Sequence, residues 1–183
     1  MKKGFTLLEL LVVIGILAIL AVTVVLVLNP AQLLAQARDS QRVSDLSTIK
    51  SAIGLYLATA DNPTITAVAN CTATNCSTDG PFGSETITSS TVVTGTGWVA
   101  VALSDTAGGS PLASLPLDPT NLGSYFYAYK GEDTNKTFEL DCRLESTKYQ
   151  GMMTSDGGNK NTCPTYTTST CYYEIGTDPA LDM

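Results

Sequence analysis

Hydrophobic positions in this chain follow three patterns in succession. From Phe5 to Leu28 they run almost without interruption, and Glu9 is the only charge among them. At about 1.5 Å per residue, a helix over that run covers roughly 36 Å, enough to cross a hydrocarbon core about 30 Å thick. A carboxylate inside such a segment costs about 2.5–3.5 kcal/mol at the bilayer centre and less near an interface, so Glu9 needs a reason to be there. Next, Val43, Leu46, Ile49, Ile53, Tyr56 and Ala60 recur at spacings of three and four, which predicts one face of an amphipathic helix. The other side carries Arg38, Asp39, Arg42, Asp45 and Lys50, with Asp39 and Arg42 one turn apart. Further on the period shortens to two. In "TFELDCRLE" (137–145) Phe138, Leu140, Cys142 and Leu144 point inward and Glu139, Asp141, Arg143 and Glu145 outward.

Helix breakers and turn residues divide these patterns. Asn29-Pro30-Ala31-Gln32 reads as an N-cap, a proline at the first helical position and a glutamine at the third, restarting a helix after the apolar run. Gly15 and Pro30 bracket a stretch that is straight, kinked or locally unwound, and the residues do not choose. Asp61-Asn62-Pro63 ends the amphipathic helix. Residues 64–97, rich in Thr, Ser, Ala and Gly, connect it to a sheet and hold a strand near Thr86 to Thr94. "WVAVAL" (98–103), "YFYAY" (125–129) and "CYYEIG" (171–176) read as further strands, with "KGEDTNK" as a hairpin loop. Tyr125, Tyr127 and Tyr129 fall on one side and are expected to pack. The class is α+β: one long N-terminal helix on a small antiparallel sheet. Its parts are a short basic start at 1–4, an apolar helix at 5–28, an amphipathic helix at 29–60 and a β domain at 61–183.

Composition excludes several functions. The net charge is −7, which argues against nucleic-acid binding through the domain body. No histidine is present, so a cysteine nucleophile lacks its usual base, and no phosphate-binding glycine loop or GxSxG motif occurs. No enzymatic activity is expected. The five cysteines, Cys71, Cys76, Cys142, Cys163 and Cys171, all lie in the polar part. They fit an exported, disulfide-bearing domain with at least one thiol left over. Cys71–Cys76 is the most local pair, and a second bridge is expected among the other three. No cofactor is expected. Asp156 and Asn159 in "TSDGGN" are calcium candidates without the regular carboxylate spacing of a strong calcium loop.

The apolar run exceeds the 7–15-residue core of a secretory signal peptide and no A-x-A site follows it, so it is expected to remain as an anchor. Lys2 and Lys3 place its start on the cytoplasmic side. "KKGFTLLELLVVIGILAIL" resembles the processing and assembly signal of the type IV pilin superfamily, which includes type II secretion pseudopilins. The match is a basic leader, then Gly4, Phe5, Thr6 and Glu9. The resemblance implies cleavage after Gly4 and N-methylation of Phe5 by a prepilin peptidase/methylase. It further implies assembly through Phe5, Thr6 and Glu9 into a helical homo-oligomer, served by a platform protein and an assembly ATPase. In that picture Glu9 pairs with the new α-ammonium of a neighbour's Phe5. The implied location is the cytoplasmic membrane, then the cell surface. "LPLDP" (115–119) is similar to a segment of major pseudopilins, which keeps a secretion role as the alternative. A membrane-anchored extracellular binding module is the further one.

Overall fold

The computed structural model describes residues 4–166, 168 and 170–183, and the chain forms two compact units, residues 1–35 and 36–183. Lys2 and Lys3 lie outside the described residues. In the first unit, helix α1 spans Leu7–Leu28 and passes through Gly15 without a break. It ends at Asn29, whose left-handed backbone (φ 39°, ψ 74°) terminates the hydrogen-bond ladder. Helix α2 then spans Pro30–Thr59. Asn29 also opens it, since its Oδ1 accepts from the Gln32 amide at 3.4 Å.

In the second unit, α2 lays its apolar stripe on a five-stranded sheet. The strands are β1 (Ala69–Cys71), β2 (Thr86–Ile87), β3 (Tyr127–Glu132), β4 (Thr137–Cys142) and β5 (Tyr173–Gly176), ordered β2-β1-β3-β4-β5. All neighbours are antiparallel except β1 and β2. Leu46, Ile49, Ile53 and Tyr56 of α2 share one buried cluster with Tyr127, Tyr129, Phe138, Leu140 and Cys142. The three-and-four spacing of α2 therefore meets the inward parity of β3 and β4. Beyond the helix, the Tyr56 hydroxyl accepts from the Thr64 amide at 2.8 Å, and the Ile65 amide donates to Asp133 Oδ1 at 2.7 Å, seating the exit loop on the β3–β4 hairpin. That hairpin turns because the Glu132 carboxylate accepts the amides of Thr134 and Asn135 and Lys136 adopts φ 56°.

Four expectations are corrected, three of them about strands. "WVAVAL" is not a strand: it is a buried loop with one isolated bridge, Thr94 to Ala102, followed by a 3-10 turn at Leu103–Asp105. Trp98, Val99, Ala100, Val101 and Leu103 are all buried, so the β-branched run reports burial from several sides rather than pairing. The strand expected over Thr86 to Thr94 shrinks to Thr86–Ile87, while β1 forms inside the stretch read as connection. Of the "YFYAY" run, only Tyr127 onward belongs to a strand.

The largest correction concerns the outward side of β4. Glu139, Asp141 and Arg143 are fully buried, as are Asp39 and Arg42 on the polar side of α2. The sheet's second face is covered by residues that arrive much later in the chain. The Arg143 guanidinium lies over the Tyr172 ring at 4.4 Å and donates to the carbonyls of Ser124, Thr168 and Cys171. A second small cluster joins Cys71, Cys76, Phe126, Ala128 and Tyr172.

Candidate functional site

Gly4 and Phe5 precede α1 outside any helix or strand and are exposed. A Cβ added at Gly4 would meet nothing within 4 Å, so the fold itself places no demand for glycine at that position. Thr6 is the N-cap of α1, with φ −85° and ψ 150°. Its Oγ1 accepts from the Glu9 amide at 3.2 Å, and Glu9 Oε2 accepts in return from the Thr6 amide at 2.9 Å and the Thr6 hydroxyl at 2.8 Å. This reciprocal capping box satisfies two of the amides that any helix start leaves open. Both returns use Oε2, which leaves Oε1 for another partner. The pattern Thr-x-x-Glu before an apolar run was the signal for the cap, and sequence reasoning passed over it because it treated Glu9 only as a charge out of place.

The rest of α1 offers no polar face. The stretch Leu7–Val25 is long and apolar enough to cross a membrane and is wholly unburied within its unit; Phe5 and Leu7 are each 81% exposed. An apolar surface of this extent on a chain whose globular unit already has its own core marks an interaction surface with lipid or with other helices.

The globular unit holds two buried ionic clusters that sequence reasoning did not assemble. In the first, Arg42 donates to Asp118 through Nε (2.6 Å) and Nη2 (3.0 Å), and through Nη1 to Asp39 (2.8 Å) and Glu145 (2.7 Å). Burial opposes the Arg42 charge, yet the carboxylates around it keep the guanidinium firmly protonated. Burial also opposes the Glu145 charge, but Arg38 and Arg42 outweigh it and hold that carboxyl below its usual range. In the second cluster, Lys160 Nζ lies among Glu139, Asp141 and Glu174. These three carboxylates could hold a metal ion by their mutual spacing, and the Lys160 ammonium stands at that position. Burial is the first cause, with Glu139 next, of an Asp141 carboxyl far above its ordinary range, and burial pushes Glu174 up to about 7. No local pattern flags Lys160, because its partners lie on β4 and β5.

The other candidates fall as follows. Cys71 is bonded to Cys76 and Cys163 to Cys171; Cys142 is a buried free thiol whose pKa is raised mainly by burial. Asp156 spends its two oxygens on the amides of Gly158 (3.1 Å) and Glu174 (2.9 Å), and Asn159 is exposed. Tyr127 and Tyr129 are core residues, whereas Tyr125 is half-buried beneath the Arg42 guanidinium at 4.8 Å.

Residues 1–25 match the family model of the prokaryotic N-terminal methylation motif, which is consistent with the type IV pilin and pseudopilin superfamily. No curated protein and no solved structure matches the chain. The matched stretch covers only the start of the chain, and it is the stretch that contains Gly4, Phe5, Thr6 and Glu9.

Proposed function

We propose that this chain is the precursor of a structural subunit of a type IV pilus-like filament, cleaved after Gly4 and N-methylated at Phe5. The observation that carries the reading is the methylation motif displayed on an unburied helix long and apolar enough to cross a membrane. Cleavage creates an α-ammonium at Phe5 in the same apolar layer as Glu9. A charge alone in such a layer is costly, and pairing Phe5 of one subunit with Glu9 Oε1 of the next offsets both. Thr6 holds Glu9 in place for that contact. Before assembly the helix anchors the subunit in the cytoplasmic membrane; afterwards it packs with copies of itself in an extracellular filament. The partners are a prepilin peptidase/methylase, a platform protein, an assembly ATPase and further copies of this chain. Calcium at Asp156 and Asn159 is not required by this reading.

The test uses cells that express only the variant. Mature protein from sheared filaments should begin at methylated Phe5, and Gly4→Leu should leave full-length protein in the membrane with no filaments. Glu9→Val should be cleaved normally and accumulate as membrane monomer, because breaking a buried pair costs about 3–5 kcal/mol. Normal filament yield from Glu9→Val would overturn the reading. The second reading, a major-type pseudopilin of a type II secretion system, rests on the similarity of the "LPLDP" segment (115–119) to those proteins. That role gives assemblies confined to the envelope rather than filaments released by shearing.

A further inference from the structure

Lys160 and three acids occupy a closed compartment on the sheet's second face. Asp141 and Glu174 stand opposite each other on β4 and β5, and Glu139 lies two residues before Asp141 on the same side. Lys160 enters from the segment before β5, with its Nζ 2.5 Å from Glu139 Oε1, 3.2 Å from Glu174 Oε1 and 3.7 Å from Asp141 Oδ2. The Phe82 ring covers Nζ at 4.9 Å. A Cβ on Gly158 would collide with the Glu174 carboxylate, so the glycine lets that acid close the compartment.

The three acids are not equivalent. Glu174 Oε2 accepts from the Lys160 amide at 2.8 Å, and Glu139 Oε2 accepts from the Met183 amide at 3.1 Å. Asp141 is fully buried, and neither of its oxygens accepts a hydrogen bond from a donor of the fold. A buried carboxylate without donors is expensive, and Asp141 avoids the cost by keeping its proton. A protonated carboxyl is also the electrophilic form, and here it is held beside an amine with a carboxylate in proton-transfer contact.

We propose that Lys160 and Asp141 condense to an intramolecular amide, with Glu139 as general base. Glu139 takes one proton from the Lys160 ammonium, and the neutral Nζ attacks Cγ of the protonated Asp141. The C–N bond forms as the C–O bond to the hydroxyl breaks. Glu139 gives its proton to the departing hydroxyl, which leaves as water, and takes the next proton from nitrogen. The amide keeps one N–H, Glu139 ends protonated, and no oxidant or co-reactant is consumed. The fold supplies proximity and excludes bulk water, the two conditions under which such a condensation proceeds without activation of the acid. The product replaces an unpaired carboxyl and an ammonium with a neutral amide whose N–H is placed to donate to Glu139 or Glu174.

The test is peptide mapping by mass spectrometry on the full chain, extracted in detergent or sheared as filaments, unfolded and with both disulfides reduced. The peptide carrying Lys160 should be joined to the one carrying Asp141, lighter than their sum by one water, and trypsin should not cut after Lys160. Lys160→Arg should abolish the link. Glu139→Gln should lower the linked fraction at least about tenfold, as expected for loss of a general base. Asp141→Asn should still link, losing ammonia in place of water and giving the same product mass. Closure of the Cys71–Cys76 and Cys163–Cys171 bridges in each variant certifies its fold. Wild-type protein with both bridges closed and Lys160 wholly cleavable would overturn the proposal. A link from Lys160 to Glu139 or Glu174 would overturn the assignment of Asp141.

Discussion

Arg42 faces two buried carboxylates and the part-buried Glu145, Lys160 faces three buried ones, and the outcomes are opposite. Around Arg42 every acid is satisfied: Asp39 also accepts the amides of Glu145 and Ser146, Asp118 those of Thr120 and Asn121, and Glu145 the side chain of Arg38. Around Lys160, Asp141 accepts nothing. The difference lies in the cation and in the backbone nearby. A guanidinium offers five donors in a planar fork and an ammonium three from a single point. Turns packed near Arg42 also supply amides, whereas Asp141 lies within β4, between strands on both sides, where backbone amides belong to the ladder. The first cluster is a clamp; the second holds unspent chemistry.

Four substitutions probe that contrast, beginning with the largest effect. Arg42→Met should destabilise the globular unit by about 3–5 kcal/mol in denaturant unfolding, because it leaves Asp39 and Asp118 buried without their cation. Arg42→Lys keeps the charge but loses the fork to Asp118 and should cost about 1.5–3 kcal/mol; a neutral result would show that charge alone holds the clamp. Glu174→Gln probes pH dependence. Its folded carboxyl is raised, so the native state binds the extra proton between the unfolded value near 4.5 and about 7. Stability should therefore fall as pH rises through that window, by about 1–3 kcal/mol, and Glu174→Gln should flatten the slope in unfolding curves taken across it. Arg38→Ala should change stability least, by about 0.2–1 kcal/mol, since Arg38 bridges Glu145 from a partly exposed position.

Legibility in the sequence followed the range of the cause. The stripe from Val43 to Tyr56 and the inward parity of Phe138, Leu140, Cys142 and Leu144 could be read, because one buried face imposes its period locally. The burial of Glu139, Asp141 and Arg143 could not, because what covers them, Lys160 and Tyr172, lies some twenty to thirty residues further on. Alternation separates two faces of a strand but does not say that both are covered. "WVAVAL" misled for a related reason: apolar β-branched residues satisfy a strand and a buried loop alike. At the N-terminus the motif was legible because it lies within one short stretch, residues 1–25. The cap it contains was equally legible, since it spans only Thr6 to Glu9.

That cap carries a consequence for reversibility. With its carboxylate already bonded to Thr6, the helix end does not wait in an unsatisfied state for a neighbour, and no contact needs to be dismantled before Oε1 meets one. On the proposed filament reading, a subunit that loses its neighbour would return to the same sealed end. If Glu9 meets a neighbour as proposed, joining and leaving would each leave the first turn of the helix intact, because its cap lies wholly within Thr6 and Glu9.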